Sequence, residues 1–223
     1  MNPRSLFITT RSTAYRTLKG IRHRHADPFA THLPVLMAVA AAQPVRDILE
    51  LGSGVLSTPA FLDRSFFPDV ERLVSHEDDP AWFTDVKSAV GGDPRCELVL
   101  LGKVRDSVPD DLSAFDLVFI DDSQRVTERS QTIRSVASRR PRGIVVIHDF
   151  EQRFYGRAAR GAFDHVRRVK TFTPQTGVCW NATVAMDTDR LERALEIVEA
   201  NRSVAPRDLS AWAGLLQPVR AGV

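Results

Sequence analysis

The sequence has little of what marks secreted, membrane-spanning or nucleic-acid-binding proteins. Its two cysteines, Cys96 and Cys179, are too few for a disulfide framework or a cysteine metal cluster. No apolar run approaches the roughly 18 residues that span a bilayer, and the N-terminus lacks the long apolar segment of a secretory signal. The formal net charge of +2 is too small to indicate a nucleic-acid partner. We therefore expect a protein of the reducing cytoplasm without a membrane partner.

The positive charge is unevenly placed in an otherwise ordinary globular composition. The chain has 223 residues, 43% hydrophobic and 26% charged, which suits one α/β domain. Basic residues crowd the N-terminus before the first acid, Asp27; they include Arg4, Arg11, Arg16, Lys19, Arg22 and Arg24. We predict a basic N-terminal arm over residues 1–30 and a single domain over 31–223, in an oligomer or a monomer. The arm is either a solvated segment or a contact for an anionic substrate or partner.

Five short apolar runs alternate with polar, helix-like stretches in the centre of the chain. The runs cover residues 47–52, 71–77, 96–102, 115–121 and 143–149. Most are apolar on both faces, as in parallel strands covered by helices, and the segments between them are long enough for crossover helices. This pattern predicts an α/β fold with a mostly parallel sheet.

Other elements are expected on both sides of these runs. Residues 31–44 are predicted to be a helix, because Pro34 fits an early helical turn and Pro44 follows the end. A second helix is predicted over 154–166. After it, "VKTFT" and "VCWNATVAM" flank the turn-like "PQTG" at 174–177, which predicts a hairpin.

Acidic residues stand where four of the predicted strands end: Glu50, Glu77, Asp121 and Asp149. Acids commonly begin loops and cap helices, so one alone would mean little. The carboxyl ends of parallel strands share one edge of the sheet, however, and ligands bind beyond that edge. The pattern therefore predicts a binding site there.

The stretch "LELGSG" sets an acid before a glycine turn. Gly52 and Gly54 allow a tight turn, but Ser57 stands where the dinucleotide fingerprint has its third glycine. Glu50 can face a cationic group such as an ammonium, whereas Glu77 can accept hydrogen bonds from ribose hydroxyls. These features favour a nucleoside that carries an amino acid over a dinucleotide.

Together the motifs resemble those of the class I S-adenosylmethionine-dependent methyltransferases. The similar stretches are "LELGSGVLST", "SHEDDPAWF", "FDLVFIDDS" and "RGIVVIHDF", in the family's order and spacing over about residues 30–186. The last is similar to the small-molecule O-methyltransferase-like branches, which often carry an "HD" pair. The resemblance implies a Rossmann-like, doubly wound, seven-stranded sheet, mostly parallel, with an antiparallel terminal hairpin.

The resemblance also implies a cofactor site for S-adenosylmethionine. Its residues would be Glu50, Gly52, Ser53, Gly54, Thr58, Glu77, Asp78 and Asp121. Ser57 or Thr58 would either bond the cofactor's carboxylate or cap the next helix. Gly102 and Lys103 lie where the family contacts adenine. Trp82 and Phe83 are predicted to pack a helix on the sheet rather than to form an adenine platform.

The acceptor side of the site is expected at "IDDS" and "IHDF". A sulfonium needs no acid to expel its leaving group, but a hydroxyl acceptor needs a base or a metal. The candidates on the rim are Asp121, Asp122, His148 and Asp149, of which Asp121, His148 and Asp149 are the predicted catalytic residues. Asp121 and Asp149 match two carboxylate ligands of divalent-metal-dependent O-methyltransferases, for which Mg²⁺ is the expected ion. The family's amide ligand is replaced by Phe150, and its catalytic lysine is missing. Asp149 could instead cap a helix.

The functional hypothesis is methyl transfer from S-adenosylmethionine to a small-molecule acceptor, at a hydroxyl oxygen, with a rim Asp or His and Mg²⁺ as candidate activators. The alternatives are an inactive methyltransferase-like scaffold, an NAD-dependent oxidoreductase, and a nucleic-acid methyltransferase that uses the basic arm. The sequence has no "NPPY"-type motif after the fourth run, which disfavours amino-group methylation of bases. His32 is a helix-start residue or a contact for substrate or cofactor.

Overall fold

A computed structural model describes residues 27–123 and 125–222. The predicted basic arm lies outside the described residues except for residues 27–30. The strands are β1 Asp47–Leu51, β2 Arg72–Glu77, β3 Cys96–Leu100, β4 Leu117–Ile120, β5 Ile144–Ile147, β6 His165–Val169 and β7 Thr176–Trp180. The helices are α1 Leu33–Ala42, α2 Ser57–Leu62, α3 Pro80–Val90, α4 Val126–Ser138, α5 Arg153–Arg160, α6 Thr188–Ala200 and α7 Leu209–Ala221, with a 3-10 helix at Val104–Ser107.

All seven strands form one sheet in the order β3-β2-β1-β4-β5-β7-β6. The strands β1 to β5 pair in parallel, and β7 runs antiparallel to both β5 and β6. The predicted doubly wound, mostly parallel sheet is confirmed. The strand order reverses between β1 and β4, so the crevice where such folds bind ligands opens beyond the carboxyl ends of these two strands.

Two hydrophobic cores cover the two faces of the sheet. Along β4, Leu117 and Phe119 enter one core and Val118 and Ile120 the other, because successive side chains of a strand point to opposite faces. The first core contains α1, α6 and α7, and the second contains α4 and α5. No helix among the described residues is long and apolar enough to cross a bilayer.

Several element boundaries differ from the sequence prediction, among them that of the first hairpin strand, which is β6 His165–Val169 rather than "VKTFT" at 169–173. Helix α1 begins at Leu33, two residues late, so that His32 lies in the turn before it. Helix α5 ends at Arg160, because Gly161 stops it and the chain enters β6 at His165. Gly177 lies within β7 rather than in the hairpin turn. The ring of Phe150 fills the space where a Cβ would stand, so this strand position requires glycine.

Candidate active site

Gly52 forms the turn that follows β1. Its φ of 94° lies in the left-handed region, and a Cβ there would stand 2.4 Å from the carbonyl oxygen of Asp121. The backbone N–H groups of Gly52 and Ser53 both donate to the carbonyl of His76 on β2. Glycine is required because the end of β1 packs directly on the backbone after β4. The turn thereby brings the ends of three neighbouring strands together.

Glu50 is fully buried beneath this turn. Its Oε1 accepts a hydrogen bond from Ser57 (2.5 Å), and its Oε2 accepts from Thr58 (2.6 Å) and Ser75 (2.5 Å). Burial raises the pKa of Glu50 to about 7, although the three hydroxyl groups oppose the shift. The carboxylate therefore faces three hydroxyls in the interior, not an open pocket, and the expectation that it faces a cationic ligand group is wrong for this arrangement.

Ser57 and Thr58 donate hydrogen bonds to Glu50, and they neither cap the next helix nor face a cofactor carboxylate, the two roles that were predicted. A hydroxyl group has one proton to donate, and each of these donates it to Glu50. Thr58 Oγ1 also accepts from the N–H of Gly54 at 3.0 Å. The N-cap residue of α2 is Leu56, without a side-chain cap bond. Both residues thus hold the glycine turn to β1, and neither has a proton left for a cofactor carboxylate.

Glu77 ends β2 at the rim of the crevice. Its Oε1 accepts from the N–H groups of Asp78 and Asp79, both at 2.8 Å, and none of the described residues donates to its Oε2. Burial raises the pKa of Glu77, which is only 6% exposed. The backbone bonds fix the orientation of the carboxylate and leave one oxygen available for a ligand hydroxyl. Asp78 lies exposed beside it.

Trp82 lies on this rim as well, and the prediction that it packs between helix and sheet is wrong. Its side chain is 39% exposed, and its indole N–H donates to the carbonyl of Ser53 at 2.7 Å. Asp79 accepts from the N–H of Trp82 and caps α3, which sets the residue in the first helical turn. Trp82 therefore flanks the glycine turn. Gly102 and Lys103 are exposed after β3.

His148 and Asp121 form a dyad where β4 and β5 end. His148 Nδ1 lies 3.1 Å from Asp121 Oδ2, and its Nε2 lies 3.1 Å from the hydroxyl of Thr31. A carboxylate only accepts, so Nδ1 carries the proton in this pair and Nε2 is the acceptor. Burial lowers the pKa of His148, but the attraction of Asp121 outweighs it and raises the pKa above 6.5. The dyad is therefore suited to take up a proton at Nε2.

Arg129, which the sequence analysis missed, is the centre of the charges at this rim. It is 2% exposed, and its guanidinium lies 2.9 Å from Asp121 and 3.2 Å from Asp149. It also donates to the carbonyl of Asp122 at 2.8 Å. Asp122 Oδ1 is 3.4 Å from Nε of Arg129, a charge contact that lacks hydrogen-bond geometry. One permanent cation thus contacts three acids of the two motifs, Asp121, Asp122 and Asp149.

Arg129 lowers the pKa of both Asp121 and Asp122, but the two carboxyl groups end with different pKa values. Burial raises the pKa of Asp121, but His148 and Arg129 outweigh it and lower the pKa to about 2. Burial dominates for Asp122, whose pKa rises to about 6 although Arg129 and Thr132 oppose the rise. Asp121 is thus a permanent anion at neutral pH, which keeps the imidazole of His148 in one orientation.

Asp149 supports this arrangement and does not cap a helix. Its φ of 57° is left-handed, a conformation that costs a non-glycine residue free energy and that is found at functional sites. The N-cap residue of α5 is Gln152. The bend at Asp149 brings its carboxylate to Arg129 and turns Phe150 into the core.

The predicted magnesium site does not fit these residues. Arg129 occupies the space between Asp121 and Asp149 that the ion would need, and the amide ligand is replaced by the buried Phe150. A divalent cation would have to stand beside a fixed guanidinium. The metal hypothesis for Asp121 and Asp149 is therefore corrected: an arginine, not a metal ion, pairs with both carboxylates.

Cys179 and Trp180 pack in the interior, as expected. Both cysteines are free thiols. Burial raises the pKa of Cys179, which makes its thiolate unavailable.

Comparison with known proteins identifies the fold. No protein-family model matches the sequence, and no curated protein matches it. The spermidine synthase of Thermotoga maritima superposes with a TM-score of 0.56 at 17% identity, over 85% of this chain and 76% of its own. The RsmC 16S rRNA N2 G1207 methyltransferase of T. thermophilus, solved with AdoMet and guanosine, gives 0.52 at 19% identity, over 70% and 43%. The fold is the Rossmann-like methyltransferase fold.

Proposed function

We propose that this protein transfers a methyl group from S-adenosylmethionine to a hydroxyl oxygen of a small-molecule acceptor, with His148 as general base. The fold alone does not select this reaction, because a spermidine synthase shares it. The support comes from the residues at the carboxyl ends of the strands. The observation that carries the proposal is the Asp121–His148 pair, whose imidazole is buried and whose Nε2 already faces a hydroxyl group, that of Thr31.

The cofactor half of the proposed site lies between β1 and β2. Glu77 offers Oε2 to the ribose hydroxyls, and its other oxygen is fixed by two backbone N–H groups. Gly52, Ser53 and Gly54 form the wall of the crevice, and Glu50 and Thr58 act behind them by holding that wall in shape. Asp78 and Trp82 lie at the opening, where they are accessible to the adenosine part.

The acceptor half needs no metal in this proposal. The bound cofactor supplies an activated methyl group. His148 Nε2 takes the proton of the acceptor hydroxyl, and Asp121 stabilises the imidazolium that forms. Arg129 keeps Asp121 ionised, and Asp149 balances the charge of Arg129. A complete acid–imidazole pair with a fixed orientation favours turnover over the inactive-scaffold alternative. The small net charge disfavours a nucleic-acid acceptor.

Calorimetry followed by a transfer assay tests the proposal. S-adenosylmethionine and S-adenosylhomocysteine should bind and NAD should not; the reverse result would favour the oxidoreductase. Transfer of a labelled methyl group is then measured over a panel of alcohols and phenols. His148→Gln should lower the rate by about 10²–10⁴-fold, the usual contribution of a general base. His165→Gln, an exposed histidine on β6, is the matched control. Full activity of His148→Gln would overturn the assigned base.

A further inference from the structure

His32 has a buried imidazole that the proposed reaction leaves unused. The residue is 3% exposed, in the turn before α1, and neither of its ring nitrogens has a hydrogen-bond partner in the described part of the chain. Its ring stands edge-on to that of His148, with centroids 4.7 Å apart, and lies against Phe119 at 4.9 Å. Buried polar atoms are nearly always paired, so two open nitrogens on one ring indicate an absent partner.

The imidazole of His32 stays neutral beside the dyad. Burial lowers its pKa to about 3, and the charge of His148 adds to this effect. A neutral imidazole has one N–H donor and one acceptor nitrogen. His32 therefore offers a hydrogen bond to a ligand and does not compete with His148 for the proton.

His32, His148 and Asp121 are close enough for one bound atom to contact more than one of them. One ligand atom from each of the three lies within 4.8 Å of the others. An oxygen with two hydrogen bonds of about 2.8 Å at a near-tetrahedral angle holds its partners about 4.6 Å apart, which this limit allows. Arg129, 2.9 Å from Asp121, opposes a cation here, which favours a hydrogen-bonded oxygen over a metal.

We propose that His32 and His148 together bind one hydroxyl oxygen of the acceptor, an inference that rests on the proposed function. The acceptor's O–H donates to Nε2 of His148, and its oxygen accepts from the N–H of His32. The acceptor's oxygen replaces Thr31 Oγ1, the present partner of that Nε2 at 3.1 Å, at a point nearer the ring of His32, because Thr31 Oγ1 itself has no hydrogen bond with the His32 nitrogens. Its other contact is the carbonyl of Pro28 at 3.4 Å, so rotation of Thr31 vacates the position. His32, Thr31 and His148 are all buried, so the turn that carries Thr31 must move to admit the acceptor.

Phenol is the probe for this hydroxyl-binding subsite. Protein labelled with ¹⁵N in its histidines is titrated with phenol in the presence of S-adenosylhomocysteine, and the ring nitrogens of His32 and His148 are followed by NMR. We expect both to shift with a common affinity. His32→Phe should weaken phenol binding about tenfold, the effect of one lost hydrogen bond, and His32→Gln should restore most of it. Thr31→Val should bind phenol at least as well as the wild type.

Any of three results would overturn the proposed subsite. The first is no shift of the His32 ring ¹⁵N signals on addition of phenol, and the second is an unchanged affinity of His32→Phe for phenol. The third is a saturable shift of the His32 and His148 signals with zinc chloride, which would make the cluster a metal site. Failure of S-adenosylhomocysteine to bind, with phenol still contacting His32, would instead contradict the proposed function and leave the subsite standing. His76→Phe is the matched control for stability. His76 is a buried histidine whose ring has a hydrogen-bond partner, Ser107 at 3.0 Å. The His76→Phe variant should therefore melt at a lower temperature than the wild type, whereas the His32→Phe variant should not.

Discussion

Replacing Arg129 by methionine should destabilise the protein strongly, because it removes one buried cation from several carboxylates. Methionine fills the space of the arginine stem but leaves Asp121 and Asp149 without their counter-ion. Removing one partner of a buried ion pair costs about 3–5 kcal/mol. At roughly 2–4 °C per kcal/mol for a chain of this size, the melting temperature should fall by roughly 6–20 °C.

The stability lost in Arg129→Met should also depend on pH, and the pKa values determine whether the loss grows or shrinks as the pH rises. Without the guanidinium, the pKa of Asp121 rises from about 2 and that of Asp122 rises above about 6. When the pKa of a carboxyl group is higher in the folded than in the unfolded state, the folded state loses stability as the pH rises through the folded-state pKa. The deficit of Arg129→Met relative to the wild type should therefore be larger at pH 8 than at pH 5.

Urea unfolding at these two pH values measures the deficit. Arg167→Met is the control, because Arg167 also pairs with two carboxylates, Glu192 and Glu199, but is 29% exposed. Solvent screening limits its cost to about 0–1 kcal/mol. Adding Asp149→Asn to Arg129→Met should recover part of the loss, since asparagine tolerates the left-handed backbone and removes one unpaired charge. A deficit of Arg129→Met below about 1 kcal/mol, or one equal at both pH values, would refute the assigned role of the arginine.

Three further predictions concern the same rim. Asp121→Asn should lower the rate of methyl transfer and move the acid limb of the pH–rate profile to lower pH, because Asp121 raises the pKa of His148. An acid limb at the same pH as in the wild type would contradict the assignment of Asp121 and His148 as a catalytic dyad. Glu77→Ala should weaken S-adenosylhomocysteine binding about tenfold or more by calorimetry, whereas Asp85→Asn, at an exposed acid on α3, should change it little; equal effects would contradict the ribose assignment. Mg²⁺ should stabilise Arg129→Ala, whose unpaired carboxylates form an oxygen ligand set, but EDTA should leave wild-type turnover unchanged.

Much of the fold followed from the sequence because buried parallel strands have a strong local signature. All five apolar runs became β1 to β5, and the acids at their ends reached one edge of the sheet. The hairpin turn was misplaced because "PQTG" has the composition of a turn, whereas Thr176 and Gly177 lie inside β7, where Gly177 admits the ring of Phe150. Such close packing between distant residues has no local sequence signal.

The acidic residues of the candidate site could be predicted from the sequence, but its buried cation, Arg129, could not. Arg129 stands four residues before Ile133 and eight before Ala137, so helical spacing set it on the buried face of α4. That spacing was the available signal, but arginine is so rarely buried that composition argues against it. The burial of Glu50 was missed for a related reason. Its partners come from α2 and from Ser75 on the neighbouring strand, which only the assembled sheet brings together.

A crystal structure with S-adenosylhomocysteine and phenol is the most direct measurement of the central claim. We predict the ribose hydroxyls on Glu77, the sulfur directed at His148, and the phenol oxygen between His148 Nε2 and the ring of His32, with room for one methyl group between sulfur and oxygen. A sulfur directed away from His148, or a nucleoside bound elsewhere than the crevice between β1 and β4, would contradict the claim.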